Sequence, residues 1–587
     1  MERRLPPSGR LRRGAALLVA AALFGGCGLP APPPASGPAT ATAPADGTSP
    51  GASPVVTGGT PPTHRIGIRK ARGTAEFFDR ASGARFVVRG ANDHHLAVGP
   101  DGLVADRTFA PGSYDGAAAE ADLRAMRELG YTAVRTALDI CQDDCIGDPA
   151  GGLRSAYLAN VADFLRRAEA VGLPVLLETN DLPKLGGYVP RVEATCCGTF
   201  DGYMNSQYFS PVGLAVYREY WTDVIHGLRD AGAPLGAILA YGLRGEVWYF
   251  ADKPPFSLTS GVVTTANGRT YDMANRNDRS RMVTDGIRFW LAEMRKAILA
   301  VDPDALVTAG VFAPNTPNRW RPANDTRTVP VAGVFDGSDI DFLDIHPYPG
   351  YVPLAALMQN FGVTGKEKFP VVMGEYGAFK FAFDSPAAGA SGLMSWQVAS
   401  CRYGVDGWFH WHYQGTDDQE VWTGTEGDGV INAVLSPRER PDPCRTKSFP
   451  FLEEDLARGA TVRASRSTSD GRPRLAADGI ADTIWQSGAG PTQWIEFDLP
   501  ARSTLRSVRL TVAQYPNGST RHVVLVGPSA ESLRAVHTFS GTTRDGNVLT
   551  WTPSSPLTGV RVVRILTTRS SSFVAWREIA LIGPSGD

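Results

Sequence analysis

Between about residue 66 and residue 445 the chain alternates short apolar runs with amphipathic stretches, and that rhythm narrows the folds open to it. Eight runs read as strands: 85–90, 133–138, 175–178, 237–243, 306–311, 342–345, 371–375 and 407–411. The stretches between most of them, among them 117–129, 158–170, 281–300 and 393–402, carry apolar residues at helical spacing. Strands alternating with helices argue for a parallel sheet with helical crossovers, since a parallel neighbour is reached only through a long connection. Eight such units in one region is the count of a (β/α)8 barrel. The expected fold class is therefore α/β, with the barrel over residues 65–450.

Barrel chemistry sits at the C-terminal ends of the strands. The fourth run continues Tyr241-Gly-Leu-Arg-Gly-Glu246, and the seventh reads Val371-Val-Met-Gly-Glu375. A charged residue closing an apolar strand is costly to bury unless it has work there. Glycosidic cleavage needs such a pair, one carboxyl group to protonate the leaving oxygen and one to attack carbon or activate water. Either glutamate alone reads equally well as the first residue of a surface loop. The pair together, at strands four and seven, favours the catalytic reading.

Residues 80–415 resemble the cellulase-like glycoside hydrolase family five, a retaining family of (β/α)8 barrels. The resemblance rests on Phe86-Val-Val-Arg-Gly-Ala-Asn92, on Arg135 in strand two, on Glu246 and Glu375, on His346-Pro-Tyr348 in strand six and on Trp411 in strand eight. It implies Glu246 as acid/base, Glu375 as nucleophile, and Arg135, Asn180, His346, Tyr348 and Trp411 as supporting and sugar-binding residues. No cofactor is implied for catalysis. Arg135 beside Glu375 is expected to keep that carboxylate ionised, and a retaining pair should stand about 5–5.5 Å apart. Two positions depart from the pattern. Gly245 stands where the family has an asparagine that holds a sugar hydroxyl, and Asn180 stands where it has a histidine. The histidines of His410-Trp411-His412 could pass for metal ligands, but a Trp411 facing the site turns both away. Trp248, Tyr249 and Phe250, just past Glu246, read either as a sugar platform or as packing under the loop. Asn267-Gly268 within 262–273 signals a hairpin.

The N-terminus adds a location. Arg3, Arg4, Arg10, Arg12 and Arg13 precede the apolar run 15–24 and then Gly25-Gly26-Cys27. This is the pattern of an export signal, too short to span a bilayer. Its ending resembles a bacterial lipobox, which implies lipidation of Cys27 and a protein exported to the cell envelope and held on the membrane by lipid. Residues 1–27 are thus read as a lipoprotein signal, and residues 28–64, rich in Pro, Ala, Thr and Ser, as a disordered tether. Six further cysteines, Cys141, Cys145, Cys196, Cys197, Cys401 and Cys444, suit disulfides in an oxidising compartment. Cys141–Cys145 and Cys401–Cys444 are plausible pairs. A net charge of -2 with no basic run sets nucleic acid aside as a partner.

After Cys444 the pattern becomes short alternating runs, such as 493–499, 507–513, 521–526 and 559–567, separated by Gly, Ser, Pro and Asn. That is an antiparallel sandwich, assigned to residues 455–587. Ala477-Asp-Gly-Ile-Ala-Asp482-Thr-Ile-Trp485, Trp494-Ile-Glu-Phe-Asp-Leu499 and Trp576-Arg-Glu578 resemble the discoidin, or coagulation-factor C-type, domain. This resemblance implies a carbohydrate-binding module with a structural calcium held by Asp478, Asp482, Thr483 and Glu578; ordinary turn carboxylates are the alternative. The expected activity is hydrolysis of O-glycosidic bonds in a polysaccharide or glycan. A non-catalytic surface lectin with a degenerate barrel and a transglycosidase remain as alternatives.

Overall fold

The computed structural model describes residues 64–584, apart from 72–73, 99–103, 139–144, 195–198, 201–202, 314–325, 351–353, 366, 384, 415–419, 446–452 and 479–482. Eight strands form a closed parallel barrel: β1 (Val88–Asn92), β2 (Ala133–Leu138), β3 (Val175–Thr179), β4 (Ile238–Gly242), β5 (Val307–Phe312), β6 (Phe342–His346), β7 (Val371–Phe379) and β8 (Val405–Trp411). Each pairs in parallel with its neighbour in sequence, and β8 returns to β1. β1, β2, β3, β4 and β6 are buried along their whole length. A strand covered on both faces has no solvent side, which is why these segments read as mainly apolar runs without a polar alternation.

The covering helices are α1 (Gly116–Glu128), α2 (Ser155–Val171), α3 (Pro211–Asp230), α4 (Arg276–Val301), α5 (Ala332–Phe335), α6 (Leu354–Phe361), α7 (Pro386–Ser400) and α8 (Glu426–Leu435). Their starts follow local chemistry. Asp115 caps α1 by accepting from the Ala117 and Ala118 amides, and Ser210 and Ser385 cap α3 and α7, each followed by proline at the first helical position. α3 turns Leu214, Tyr217, Tyr220, Trp221, Val224 and Leu228 inward, at the three-to-four spacing of a buried face.

The floor of the barrel is sealed by an antiparallel hairpin, Ile66–Ala71 with Thr74–Asp79. Ile66 and Phe77 pack against Val88, Ala133, Leu176, Leu306, Phe342 and Val372, and the Phe77 ring meets Phe342 edge-on at 5.2 Å. His64 docks beside them, with Nδ1 2.6 Å from the Ile238 carbonyl at the start of β4 and Nε2 2.9 Å from Asp302 Oδ2. The hairpin expected around Asn267-Gly268 joins Val262–Thr264 to Thr270–Asp272 and packs Val263 and Tyr271 on Met282 of α4. Cys401 and Cys444 are joined by a disulfide. Cys27, Cys141, Cys196 and Cys197 lie outside the described residues. Among the described residues no helix is long and apolar enough to cross a membrane.

The C-terminal part is an antiparallel sandwich. One sheet runs in the order Glu453–Asp455, Ala575–Pro584, Ser507–Val512, Val548–Trp551; the other runs Thr461–Ala464, Gln493–Leu505, Leu557–Arg569, Gly518–Gly527, Arg534–Thr543. Trp485, Phe497, Leu510, Val524, Ile565 and Trp576 fill the space between them. Arg458 reaches from this part to the barrel, donating through Nη1 to the Gly350 carbonyl at 2.7 Å.

Candidate active site

Side chains alternate along a strand, so the residue two positions above an inward apolar one also faces inward. Above Ala133, Leu176, Phe342 and Val372 of the barrel floor stand Arg135, Glu178, Asp344 and Gly374. Arg135, Glu178 and Asp344 are fully buried. Glycines on the adjoining strands make room for them. A Cβ on Gly374 would fall 1.9 Å from Asp344 Oδ1, and one on Gly242 would fall 2.5 Å from the Glu178 Cβ.

Arg135 ties this layer to the cleft. Its Nη1 donates to Glu375 Oε1 at 2.8 Å and to Asn92 Oδ1, and its Nη2 donates to Glu178 Oε2 at 2.6 Å. Its Nε lies 3.7 Å from Asp344 Oδ2. Burial disfavours the charge on Arg135, but Glu178, Glu375 and Asp344 outweigh that and hold its pKa above the usual arginine value. Tyr348 donates its hydroxyl to Glu375 Oε2 at 2.8 Å. Burial and the Glu375 charge push the Tyr348 pKa well up, so it stays a donor.

His346 bridges the two glutamates expected to act. Its Nδ1 is 3.0 Å from Glu246 Oε1 and 3.6 Å from Glu375 Oε2. Arg135 Nη2 lies 3.3 Å from its Nε2, which favours a neutral ring, whereas Asp344 Oδ1 at 3.6 Å and the two glutamates favour the imidazolium. The carboxylates prevail: burial lowers the His346 pKa, but Glu375, Asp344 and Glu246 push it up to about 10. Burial likewise pulls the Glu375 pKa upward, and the charges of His346 and Arg135 with the Tyr348 hydrogen bond overturn it, leaving Glu375 below the ordinary carboxylate value. Burial, against Arg135 and with Glu375 and Asp344, pushes Glu178 up to about 7.

Glu246 lies beyond the end of β4 on a segment laced between β3 and β5. The Gly245 amide donates to Thr179 O at 2.8 Å, the Val247 amide to Gly310 O at 2.8 Å, and the Gly310 amide to Arg244 O at 2.9 Å. Arg244 folds back to donate through Nε to the Glu246 carbonyl and pairs through Nη2 with Asp181 at 3.0 Å. Its guanidinium stands 5.4 Å from the Trp248 ring, and that of Arg327 stands 5.6 Å from the same ring. Trp248 is thus flanked by two arginines and packs against the core. One oxygen each of Glu246 and Glu375 and one His346 nitrogen lie within 4.8 Å of one another. A cation could be held by three such atoms, but Arg135 and the imidazolium already supply the positive charge there.

The remaining expected residues fall as follows. Asn180 is half-exposed just past β3 and its Oδ1 lies beside Gly245. Trp411 is half-exposed at the end of β8 with its ring 4.8 Å from that of His94. His410 is buried against Asn432 and Tyr131, and burial takes its pKa down to about 3. His412 is buried as well. Sequence reasoning did not single out Glu178 or Asp344. The signal was present, since Asp344 precedes His346 by one inward step and Glu178 closes an apolar strand as Glu375 does. In the C-terminal part, Thr483 Oγ1 lies 2.9 Å from both Asp478 oxygens, and Glu578 Oε1 lies 3.8 Å from Arg458 Nη2. Asp482 lies outside the described residues. The oxygen donors suit calcium, with Arg458 as a competing cation at Glu578.

Residues 461–579 match the F5/8 type C domain family. Comparison with curated proteins gives no match. Among solved structures, the chain is similar to an exo-beta-1,4-mannosidase from Opitutaceae bacterium strain TAV5, at 18% identity over 62% of this chain and 57% of that one, with a TM-score of 0.38. It is similar to a beta-mannanase from the blue mussel Mytilus edulis, at 14% identity over 65% of this chain and 98% of that one, with a TM-score of 0.38. It is also similar to the family 32 CBM from C. perfringens NanJ in complex with galactose, at 18% identity over 22% of this chain and 99% of that one, with a TM-score of 0.20.

Proposed function

We propose that the barrel hydrolyses β-linked glycan by a retaining mechanism, with Glu375 as nucleophile and Glu246 as acid/base. One observation carries the reading. Facing oxygens of Glu246 and Glu375 lie within 4.8 Å, which suits the about 5–5.5 Å of a retaining pair better than the about 6.5–9.5 Å of an inverting one. The electrostatics support the division of labour. Glu375 is kept ionised by Arg135, Tyr348 and the His346 imidazolium, as an attacking carboxylate requires. Its oxygen bonds to the anomeric carbon while Glu246 gives its proton to the departing glycosidic oxygen. Water then attacks the same carbon, Glu246 takes the water's proton, and the Glu375 ester bond breaks to free the sugar. His346, within reach of both carboxylates, holds them in register through the two steps. Trp411, half-exposed at the rim, would floor the sugar.

The F5/8 type C part is proposed to hold the enzyme on glycan, with a structural calcium on Asp478, Asp482, Thr483 and Glu578. Calcium would supply charge neutralisation to that loop, and it takes no part in the chemistry. Export and lipidation at Cys27 would place the whole at the cell envelope. The test uses a panel of 2,4-dinitrophenyl β-D-glycosides, followed by proton NMR of the first-formed anomer. Wild type should release the β-anomer first. Glu375→Gln should lose at least about a thousandfold in kcat. Glu246→Gln should lose far less on this activated leaving group, which needs little protonation. An active Glu375→Gln enzyme, or inversion at the anomeric carbon, overturns the assignment.

A further inference from the structure

Nearly every polar group around the two glutamates is already committed. The Asn92 amide donates to the carbonyls of Gly374, Phe409 and His410 and accepts from Arg135. Tyr348 donates to Glu375, and His346 faces Glu246 and Glu375. The Asn180 amide differs. It is half-exposed past the end of β3 and makes no hydrogen bond to any described residue.

Gly245 shows where that amide lies. A Cβ built on Gly245 would fall 2.9 Å from Asn180 Oδ1 and 3.1 Å from Glu178 Oε1. The space that a side chain beside Glu246 would enter is thus filled from the neighbouring strand. Glu178 Oε1 is buried and has no hydrogen-bond partner among the described residues, which is uncommon for a buried oxygen. The Asn180 amide therefore stands beside Gly245, the residue that leads into Glu246, with the buried Glu178 carboxyl near the same point. Any sugar cleaved here has its anomeric carbon between Glu246 and Glu375. The hydroxyl on the adjacent ring carbon, C2, is then the substituent closest to both, and hydrogen bonds to it strengthen in the transition state.

We propose that Asn180 binds the C2 hydroxyl of the sugar under attack, and that glycine at 245 is what admits its amide. The proposal rests on the glycoside hydrolase reading. It makes Asn180 a specificity residue, held by a strand other than the one that leads to the acid/base.

The experiment compares wild type, Asn180→Ala and Gly245→Ala. The probes are the best 2,4-dinitrophenyl β-D-glycoside of the panel and its 2-deoxy counterpart. The preference for the 2-hydroxy over the 2-deoxy substrate should fall about a hundredfold in Asn180→Ala, and the loss should appear in kcat rather than KM. Gly245→Ala keeps the amide but displaces it, so it should lower the same preference. An unchanged preference in both variants overturns the proposal, as does an equal loss on the two substrates, which is the mark of a structural role. If wild type and Glu375→Gln alike turn over no glycoside, the hydrolase reading fails and this inference falls with it. If wild type turns over the probe and only the preference is unmoved, this inference alone fails.

Discussion

Replacing Glu178 by glutamine should remove a pH dependence from the stability of the barrel. The Glu178 carboxyl lies in the layer directly above the apolar floor, bonded to Arg135 Nη2 at 2.6 Å, with Asp344 and Glu375 on the same guanidinium. Its pKa rises from the ordinary 4.5 to about 7. An acid held more tightly protonated in the fold than in the unfolded chain costs nothing below pH 4.5, where both states carry the proton. The cost grows as pH rises and is complete above 7. At about 1.4 kcal/mol for each pH unit, the rise from 4.5 to about 7 amounts to about 3 kcal/mol lost across that window. His346 acts mainly at higher pH: with its pKa pushed up to about 10, its contribution is full below 6.5 and is lost progressively as pH rises from 6.5 to about 10. Both proteins share it, so it cancels in the difference. Glutamine keeps a carbonyl for Arg135 and has no proton to lose. Urea unfolding followed by tryptophan fluorescence, on the chain expressed from residue 28, should show the variant gaining about 3 kcal/mol on wild type between pH 4.5 and 7.5. A difference that stays flat, or that widens toward acid, refutes the raised carboxyl and the layer drawn around it.

Three further outcomes are expected. Tyr348→Phe removes a hydrogen bond to a charged oxygen, worth about 1.5–3 kcal/mol; kcat should drop at least about tenfold, and the acid limb of the rate profile should move to higher pH as Glu375 loses a stabilising donor. Cys401→Ser with Cys444→Ser opens a link that spans 43 residues, and chain entropy puts the loss at about 4 kcal/mol, read as a lower urea midpoint without dithiothreitol and no difference with it. Cys27→Ser should move the protein from the membrane fraction to the soluble one, and unchanged membrane association would refute lipid anchoring at that residue.

The barrel was legible because parallel strands covered on both faces leave mainly apolar runs, and all eight observed strands lie within a few residues of those runs. Glu246 and Glu375, the proposed pair, stand out in the sequence as charges next to such runs, although Glu246 lies past the end of β4 and Glu375 lies within β7. Glu178 and Asp344 were harder to see because their surroundings are set across strands. Asp344 fits only because its neighbour on β7 is Gly374, and Glu178 only because its neighbour on β4 is Gly242. A linear reading shows the charge and the glycine but not the register that brings them together. The hairpin over Ile66–Asp79 escaped notice as the barrel floor, since two short amphipathic strands say nothing of what they cover. The four-residue α5 is too short to leave a helical period, so the fifth crossover could not be read.

His64 gives the molecule a front and a back. The chain joins the barrel at Ile238 and Asp302, at the starting end of the strands, whereas Glu246, Glu375 and Trp411 lie at the finishing end. The described chain thus enters the barrel on the face opposite the proposed cleft. If the lipid attachment proposed at Cys27 holds, entry and cleft stand at opposite ends of the strands, and a long glycan would approach the end away from His64.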